Sequence, residues 1–191
     1  MQGGQGLKLG NGSIYDPVGV FMRTLLRFPK PVIAAVNGPA IGVGCTLIPH
    51  CDIAFATENT YFLVPFSRIA VVPEFCSSVL FPQILGRSTA NEMLLMGKPL
   101  QAHRAKQLGF ISDVFPQQDF LKQVLKQVQE GLQYPLLDKT FPLFKNMIKK
   151  WELDDLERLC QYEIRKLDER GESGEIAEAV LTFMQKPKAK M

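Results

Sequence analysis

The sequence predicts an α/β fold followed by a helical carboxyl-terminal region, on three observations. Apolar runs short enough for strands alternate with segments of helical spacing as far as about residue 118. From Asp119 onward only helical spacing remains. Between them lies the run Val32-Ile33-Ala34-Ala35-Val36, halted by Asn37-Gly38-Pro39, which reads as a buried strand ending at a turn. The residues that follow include Ala40, Gly42, Gly44 and Cys45, small enough for another backbone or a ligand to come close. Exposed N–H groups at the start of a helix there would suit an oxygen carrying negative charge, and the same pattern also serves plain packing.

Taken in order, residues 1–16 hold five glycines in the first twelve positions and no periodicity, so a flexible segment is expected. Val18, Phe21, Met22, Leu25 and Leu26 fall at helical spacing before Pro29. A second strand is expected at 53–56, a polar turn at 57–60 and an extended run at 61–64, stopped by Pro65. Pro73 suits the first position of a helix running to about Leu85, which puts Glu74 in its first turn, with Gly86 closing it. Thr89 and Glu92 form a capping-box pattern for the next helix, ended by Gly97. A short helix at 101–108 stops at Gly109, and a strand is expected at 111–115.

The helical remainder shows three apolar faces before a last helix at about 173–184. These are Phe120, Leu121, Val124, Leu125, Val128 and Leu132; Phe141, Phe144, Met147 and Ile148; and Leu153, Leu156, Leu159, Cys160, Ile164 and Leu167. The expected organisation is thus a flexible start (1–16), an α/β core (17–118), a helical region (119–184) and a tail (185–191).

With 46% hydrophobic and 21% charged residues, the 191-residue chain has enough material for one domain with a real core. Its 22 basic and 19 acidic residues are too evenly balanced to point to nucleic acid, although a mildly basic surface favours a phosphate-bearing ligand. Cys45, Cys51, Cys76 and Cys160 form no CxxC pair, and His50 and His103 complete no metal-ligand spacing, so a reducing compartment and no metal are expected. No apolar run approaches bilayer-spanning length, and no membrane partner is expected. His50 reads as structural, His103 as solvent-facing and Cys76 as small buried packing rather than a nucleophile.

The segment Phe28-Pro29-Lys30-Pro31-Val32-Ile33-Ala34-Ala35-Val36-Asn37-Gly38-Pro39-Ala40-Ile41-Gly42-Val43-Gly44, continued by Cys51-Asp52-Ile53-Ala54-Phe55-Ala56, closely resembles the enoyl-CoA hydratase/isomerase (crotonase) superfamily. The resemblance runs to about residue 184. It implies a crotonase-like spiral of ββα units, incomplete at the amino terminus, and a carboxyl-terminal helical region that forms a homotrimer or homohexamer in a complete form. It also implies that this chain corresponds to the carboxyl-terminal part of such a domain. The leading third, with the first strands, a second oxyanion N–H and much of the CoA cradle, has no counterpart before Phe28.

Proteins of this kind bind an acyl-CoA thioester, whose CoA is part of the substrate, and no separate cofactor is implied. Position matching assigns the oxyanion donor to the Val43 N–H, with Gly42 and Ala40 beside the substrate. The hydratases' two glutamates match Thr46 and Phe66 here, and neither can act as a base, which argues against hydration. The run Val72-Pro73-Glu74-Phe75-Cys76-Ser77-Ser78 resembles Ser-Pro-Glu-Gly-Cys-Ser-Ser of peroxisomal-type Δ3,Δ2-enoyl-CoA isomerases, whose glutamate is the single acid/base. Val72 replaces the serine and Phe75 the glycine. The resemblance therefore implies a β-oxidation isomerase with Glu74 catalytic and Phe66 and Phe75 at the acyl pocket.

A helix-start glutamate complementing the macrodipole is the plainer account of Glu74. A non-catalytic interaction module is the competing function, since acyl-CoA-like domains of chromodomain proteins share Asn-Gly-Pro-Ala-Ile-Gly but carry aspartate where this chain has Glu74. The terminal Ala189-Lys190-Met191 resembles a variant of the peroxisomal Ser-Lys-Leu address. A solvated basic tail explains the same residues, with mitochondrion or cytoplasm as the other compartments.

Overall fold

The structure, a computed structural model, describes residues 17–185. The segment 1–16 and the end of the tail, with the expectations placed on them, lie outside the described residues. In chain order the elements are α1 (Pro17–Leu26), β1 (Ile33–Val36), β2 (Ala40–Ile41), α2 (Val43–Thr46), β3 (Ile53–Thr57), β4 (Tyr61–Leu63), α3 (Ser77–Leu85) and α4 (Arg87–Leu94). They continue with β5 (Leu100–Gln101), α5 (Ala102–Gln107), β6 (Asp113–Phe115), α6 (Phe120–Leu132), α7 (Leu137–Lys149), α8 (Leu153–Glu172) and α9 (Glu175–Gln185). Short 3-10 turns sit at Ile48–His50 and Phe66–Arg68. Among the described residues no helix is long and apolar enough to cross a membrane.

The strands form two small sheets. One is parallel in the order β1-β3-β6, with Ile33 opposite Ile53 and Phe55 opposite Asp113. The other has the order β2-β4-β5, in which β2 is parallel and β5 antiparallel to β4. The run expected as the buried central strand is instead an edge strand of intermediate exposure, and β3, flanked on both sides, is the buried one. Parallel strands need crossover connections, and these put α2 next to β2 and α5 next to β6.

Three cores divide the apolar residues, the smallest being Phe55 of β3 with Phe120 and Val124 of α6. The largest is built around Phe110, which meets Phe62 and Phe81 edge-on at 5.1 and 5.4 Å between ring centroids, together with Phe66, Leu85 and Met93. The second joins Met22 and Leu26 of α1, Phe75, Cys76 and Leu80, and Cys160 and Ile164 of α8. The helical region is tied to the sheet by charge as well. Lys145 Nζ on α7 lies 2.6 Å from Asp52 Oδ2 and donates to Lys30 O, while Lys149 Nζ donates to His50 O and pairs with Asp52 Oδ1. Asp52 Oδ2 also accepts the Val32 N–H at 2.7 Å, so one carboxylate joins the start of β1, the start of β3 and α7.

Two helix starts differ from expectation. The helix placed at Pro73 begins at Ser77, because Phe75 and Cys76 take left-handed backbone angles (φ +53 and +61) that no α-helix can contain. The next helix begins at Arg87, directly after Gly86 at φ +77, so Thr89 lies inside it and the capping box does not form.

Candidate active site

The site is built on the turn after β2. Gly42 has φ +58 and ψ −125, a conformation that disfavours any side chain, and it is pinned to β4 by its N–H donating to Leu63 O at 2.9 Å. Its carbonyl accepts the N–H groups of Cys45 and Thr46. Val43 follows as the first residue of α2, its side chain half exposed, and its N–H has no hydrogen-bond partner among the described residues. Ala40 is buried under this turn in β2.

Glu74 comes to the same place from the other side. It sits in the loop between the 3-10 turn at Phe66–Arg68 and α3, ahead of the helix rather than in its first turn. Thr46 Oγ1 donates to Glu74 Oε1 at 2.5 Å and also lies 3.4 Å from Val43 O, so a single hydroxyl links the carboxyl group to the glycine turn. Only 9% of Glu74 remains exposed. Burial pushes its carboxyl group above the usual carboxylate range, and the Thr46 hydrogen bond pulls part of the way back. The thiol of Cys45 is raised by burial first and by the charge of Glu74 second.

The other expected residues fall as follows. Phe66 is in the largest core and Phe75 in the second, where it stacks on His50 at 4.0 Å between ring centroids. Both side chains are thus enclosed by packing. His50 is buried, with Nε2 in hydrogen-bond contact with Phe75 O, and burial lowers its pKa to about 4, so it is a neutral structural ring. His103 is exposed. Cys76 is fully buried, with Sγ 3.3 Å from Cys160 Sγ, and its thiol is pushed well up. A groove of about 1240 Å³ lies away from these residues, lined by Asn37, Pro116, Phe120, Leu121 and Leu125 among others.

Two participants escaped the sequence reading. By sequence position Thr46 replaces a hydratase glutamate, and in the structure its hydroxyl holds the glutamate that is present. Glu163, on α8, accepts the Cys76 N–H at 2.6 Å, the Ser78 N–H at 3.3 Å and the Ser78 Oγ–H at 2.5 Å. Its signal was a charge among Leu156, Cys160, Ile164 and Leu167, on the apolar face of a helix.

Fold and site together define an α/β protein in which a buried acid is held against a glycine turn whose leading amide has no partner among the described residues. The chain belongs to the enoyl-CoA hydratase/isomerase family, whose model matches residues 12–191. It is similar to enoyl-CoA delta isomerase 3, peroxisomal, of Mus musculus, 36% identical over 172 residues covering 90% of this chain and 54% of that protein. Similarity also extends to the chromodomain Y-like protein of Homo sapiens, 43% identical over 110 residues covering 58% of this chain and 18% of that protein. Among solved structures, Pseudomonas aeruginosa OdaA superposes with a TM-score of 0.84 at 34% identity, over 91% of this chain and 70% of that one. The fold is therefore the crotonase fold, and the chain spans about half or less of the length of the curated relatives it matches.

Proposed function

We propose that the chain carries the acid/base half of a Δ3,Δ2-enoyl-CoA isomerase of fatty-acid β-oxidation. The observation that supports this reading is the hydrogen bond from Thr46 to a buried Glu74, which holds a carboxyl group of raised pKa next to the glycine turn. In the proposed reaction the thioester oxygen of a 3-enoyl-CoA rests on the Val43 N–H, with Gly42 and Ala40 beside it. The Glu74 carboxylate takes a proton from C2, breaking that C–H bond, and the electron pair moves through C1 onto the thioester oxygen, giving a dienolate conjugated with the C3–C4 double bond, whose electrons form the new C4–H bond as the C2–C3 double bond is made. The same carboxyl group then returns the proton to C4, giving the 2-trans-enoyl-CoA with no net gain or loss of atoms. One backbone donor at an oxyanion is worth about 2.7–4 kcal/mol of transition-state stabilisation. A base poised by burial suits the proton transfer, and no external cofactor enters it.

The test is turnover of a 3-enoyl-CoA, followed by absorbance of the conjugated 2-enoyl product, in the wild-type chain and in Glu74→Gln. Loss of at least about 1000-fold in kcat, with acyl-CoA binding kept, is expected if one carboxyl group does both transfers. Undiminished turnover in the variant would remove Glu74 from the reaction.

The similarity to the chromodomain Y-like protein favours one second reading, an acyl-CoA-binding or interaction module without turnover. Acyl-CoA binding in wild type without product would select it. Homotrimers or homohexamers belong to the same proposal: Leu143, Phe144, Met147, Ile148 and Trp151 leave an exposed apolar face on and beyond α7, and light scattering after size exclusion reads the assembly directly. A peroxisomal location is proposed from Ala189-Lys190-Met191, supported by the name of the mouse relative, and import of a fluorescent fusion that fails when those three residues are removed is the expected result.

A further inference from the structure

The loop that carries Glu74 is held by α8 at both of its strained points. Ala70 has φ +56, and Arg170 Nε donates to its carbonyl at 3.1 Å. Phe75 and Cys76 are consecutive left-handed residues without the freedom of glycine, and the turn they make is the one that sends Glu74 back towards Thr46 instead of into α3. Glu163 lies seven residues before Arg170, hence on the same side of α8, and takes three hydrogen bonds from the far side of this turn. The carboxylate also occupies the amino end of α3, where negative charge is favoured. It is 3% exposed, and none of the proposed chemistry uses it.

We infer that Glu163 is a positioning residue for Glu74: by gripping Cys76 and Ser78 it fixes the left-handed turn that aims the Glu74 carboxyl group at the Thr46 hydroxyl and the Val43 turn. It touches no substrate and acts through the Cys76 and Ser78 N–H groups and the Ser78 hydroxyl. The inference deepens the isomerase reading, because a base that must reach two carbons from one place has little tolerance for a displaced backbone. Misplacement of a reacting group by about 1 Å costs on the order of 100-fold in rate. The ionisable groups electrostatically linked to Glu74 are Cys45 on α2 and Glu163 itself, so the titration of Glu74 reports on this arrangement whether or not the chain turns over substrate.

The experiment compares wild type with Glu163→Ala, Glu163→Gln, Ser78→Ala and Glu74→Gln in the full chain. Two quantities are read: kcat and KM for a 3-enoyl-CoA, and the titration midpoint of Glu74 from carbon-13-labelled glutamate, its signal assigned by its absence in Glu74→Gln. Glu163→Ala is expected to lower kcat about 100-fold with KM within about 2-fold, and to drop the Glu74 midpoint towards the ordinary carboxylate value as the turn opens to water. Glu163→Gln keeps an acceptor for Cys76 and is expected to recover most of the lost kcat. Should Glu163→Ala fail to fold, Glu163→Gln and Ser78→Ala carry the test, each with a smaller fall in the same midpoint. A folded Glu163→Ala, or that pair in its place, with wild-type kcat and an unmoved Glu74 midpoint overturns the inference. Absent turnover in wild type, or full turnover in Glu74→Gln, instead sinks the isomerase reading, and the Glu74 midpoint in Ser78→Ala, which loosens the grip of Glu163 but keeps its charge, still decides the role of Glu163.

Discussion

Phe75 stands where the resembling isomerase segment has glycine, and the structure gives that position φ +53, so it should respond to substitution in an order opposite to the usual one. A side chain in the left-handed region costs about 1–2 kcal/mol. Phe75 tolerates this because its ring is wholly buried, stacked on His50 and tilted against Phe21 at 6.1 Å. Truncating a buried phenylalanine to alanine costs about 3–5 kcal/mol, and Phe75→Ala keeps the backbone strain as well. Phe75→Gly loses the same ring but relieves the strain, against about 0.5–1 kcal/mol for the extra freedom glycine has when unfolded. Both variants should therefore be destabilised, with Phe75→Gly more stable than Phe75→Ala by about 0.5–1 kcal/mol. Urea unfolding followed by far-ultraviolet circular dichroism measures the difference. An alanine variant as stable as the glycine variant would refute the left-handed turn. Either one within about 1 kcal/mol of wild type would refute the enclosure of the ring.

Asp52→Asn leaves the Lys145 ammonium, 5% exposed, without its carboxylate, and stability should fall by about 3–5 kcal/mol in the same urea assay; a loss under about 1 kcal/mol would mean α7 is held by packing instead. Stability against pH should reflect buried carboxyl groups, Glu163 and in the same direction Glu74, opposed by His50. Glu163, raised to about 7 mainly by burial, stabilises fully below its ordinary value of 4.5, and that contribution is lost as pH rises through about 7. His50, lowered to about 4, contributes above its ordinary value of 6.5 and loses that contribution as pH falls through about 4. Glu163→Gln removes the first effect and leaves the second, so acidification from pH 7 to about 4.5 should destabilise the variant more steeply than wild type. Parallel profiles would contradict the assignment.

What could be read in the sequence divides by range. The glycine turn was legible because a single residue, Gly42, carries both the sharp turn and the register of β2 against β4. The placement of Glu74 near it came from the order of motifs along the chain. Its local setting did not, since Pro73 and the apolar periodicity fit a helix start, and only the turn geometry at Phe75 and Cys76 moves that start to Ser77. Apolar content could not tell β1 from β3 either. Which strand gains two neighbours depends on where β6 returns, some 60 residues later in the chain. Thr46 and Glu163 were out of reach for the same reason: their partners lie 28 residues and more than 80 residues away.

That distance makes the helical region part of the site and not an appendage to it. Two consecutive left-handed residues cost about 2–4 kcal/mol together, too much for the short loop 69–76 to sustain from its own contacts. A hydrogen bond contributes about 0.5–1.5 kcal/mol net, so the three that Glu163 accepts are together of the size needed to offset the turn. Met22, Leu26, Leu80, Cys160 and Ile164 then close around Phe75 and fix α8 in place. The geometry of the carboxyl group therefore depends on α1, α3 and α8 docking together. α8 supplies both the Glu163 carboxyl group that grips the turn and the Cys160 and Ile164 side chains that close the core behind it.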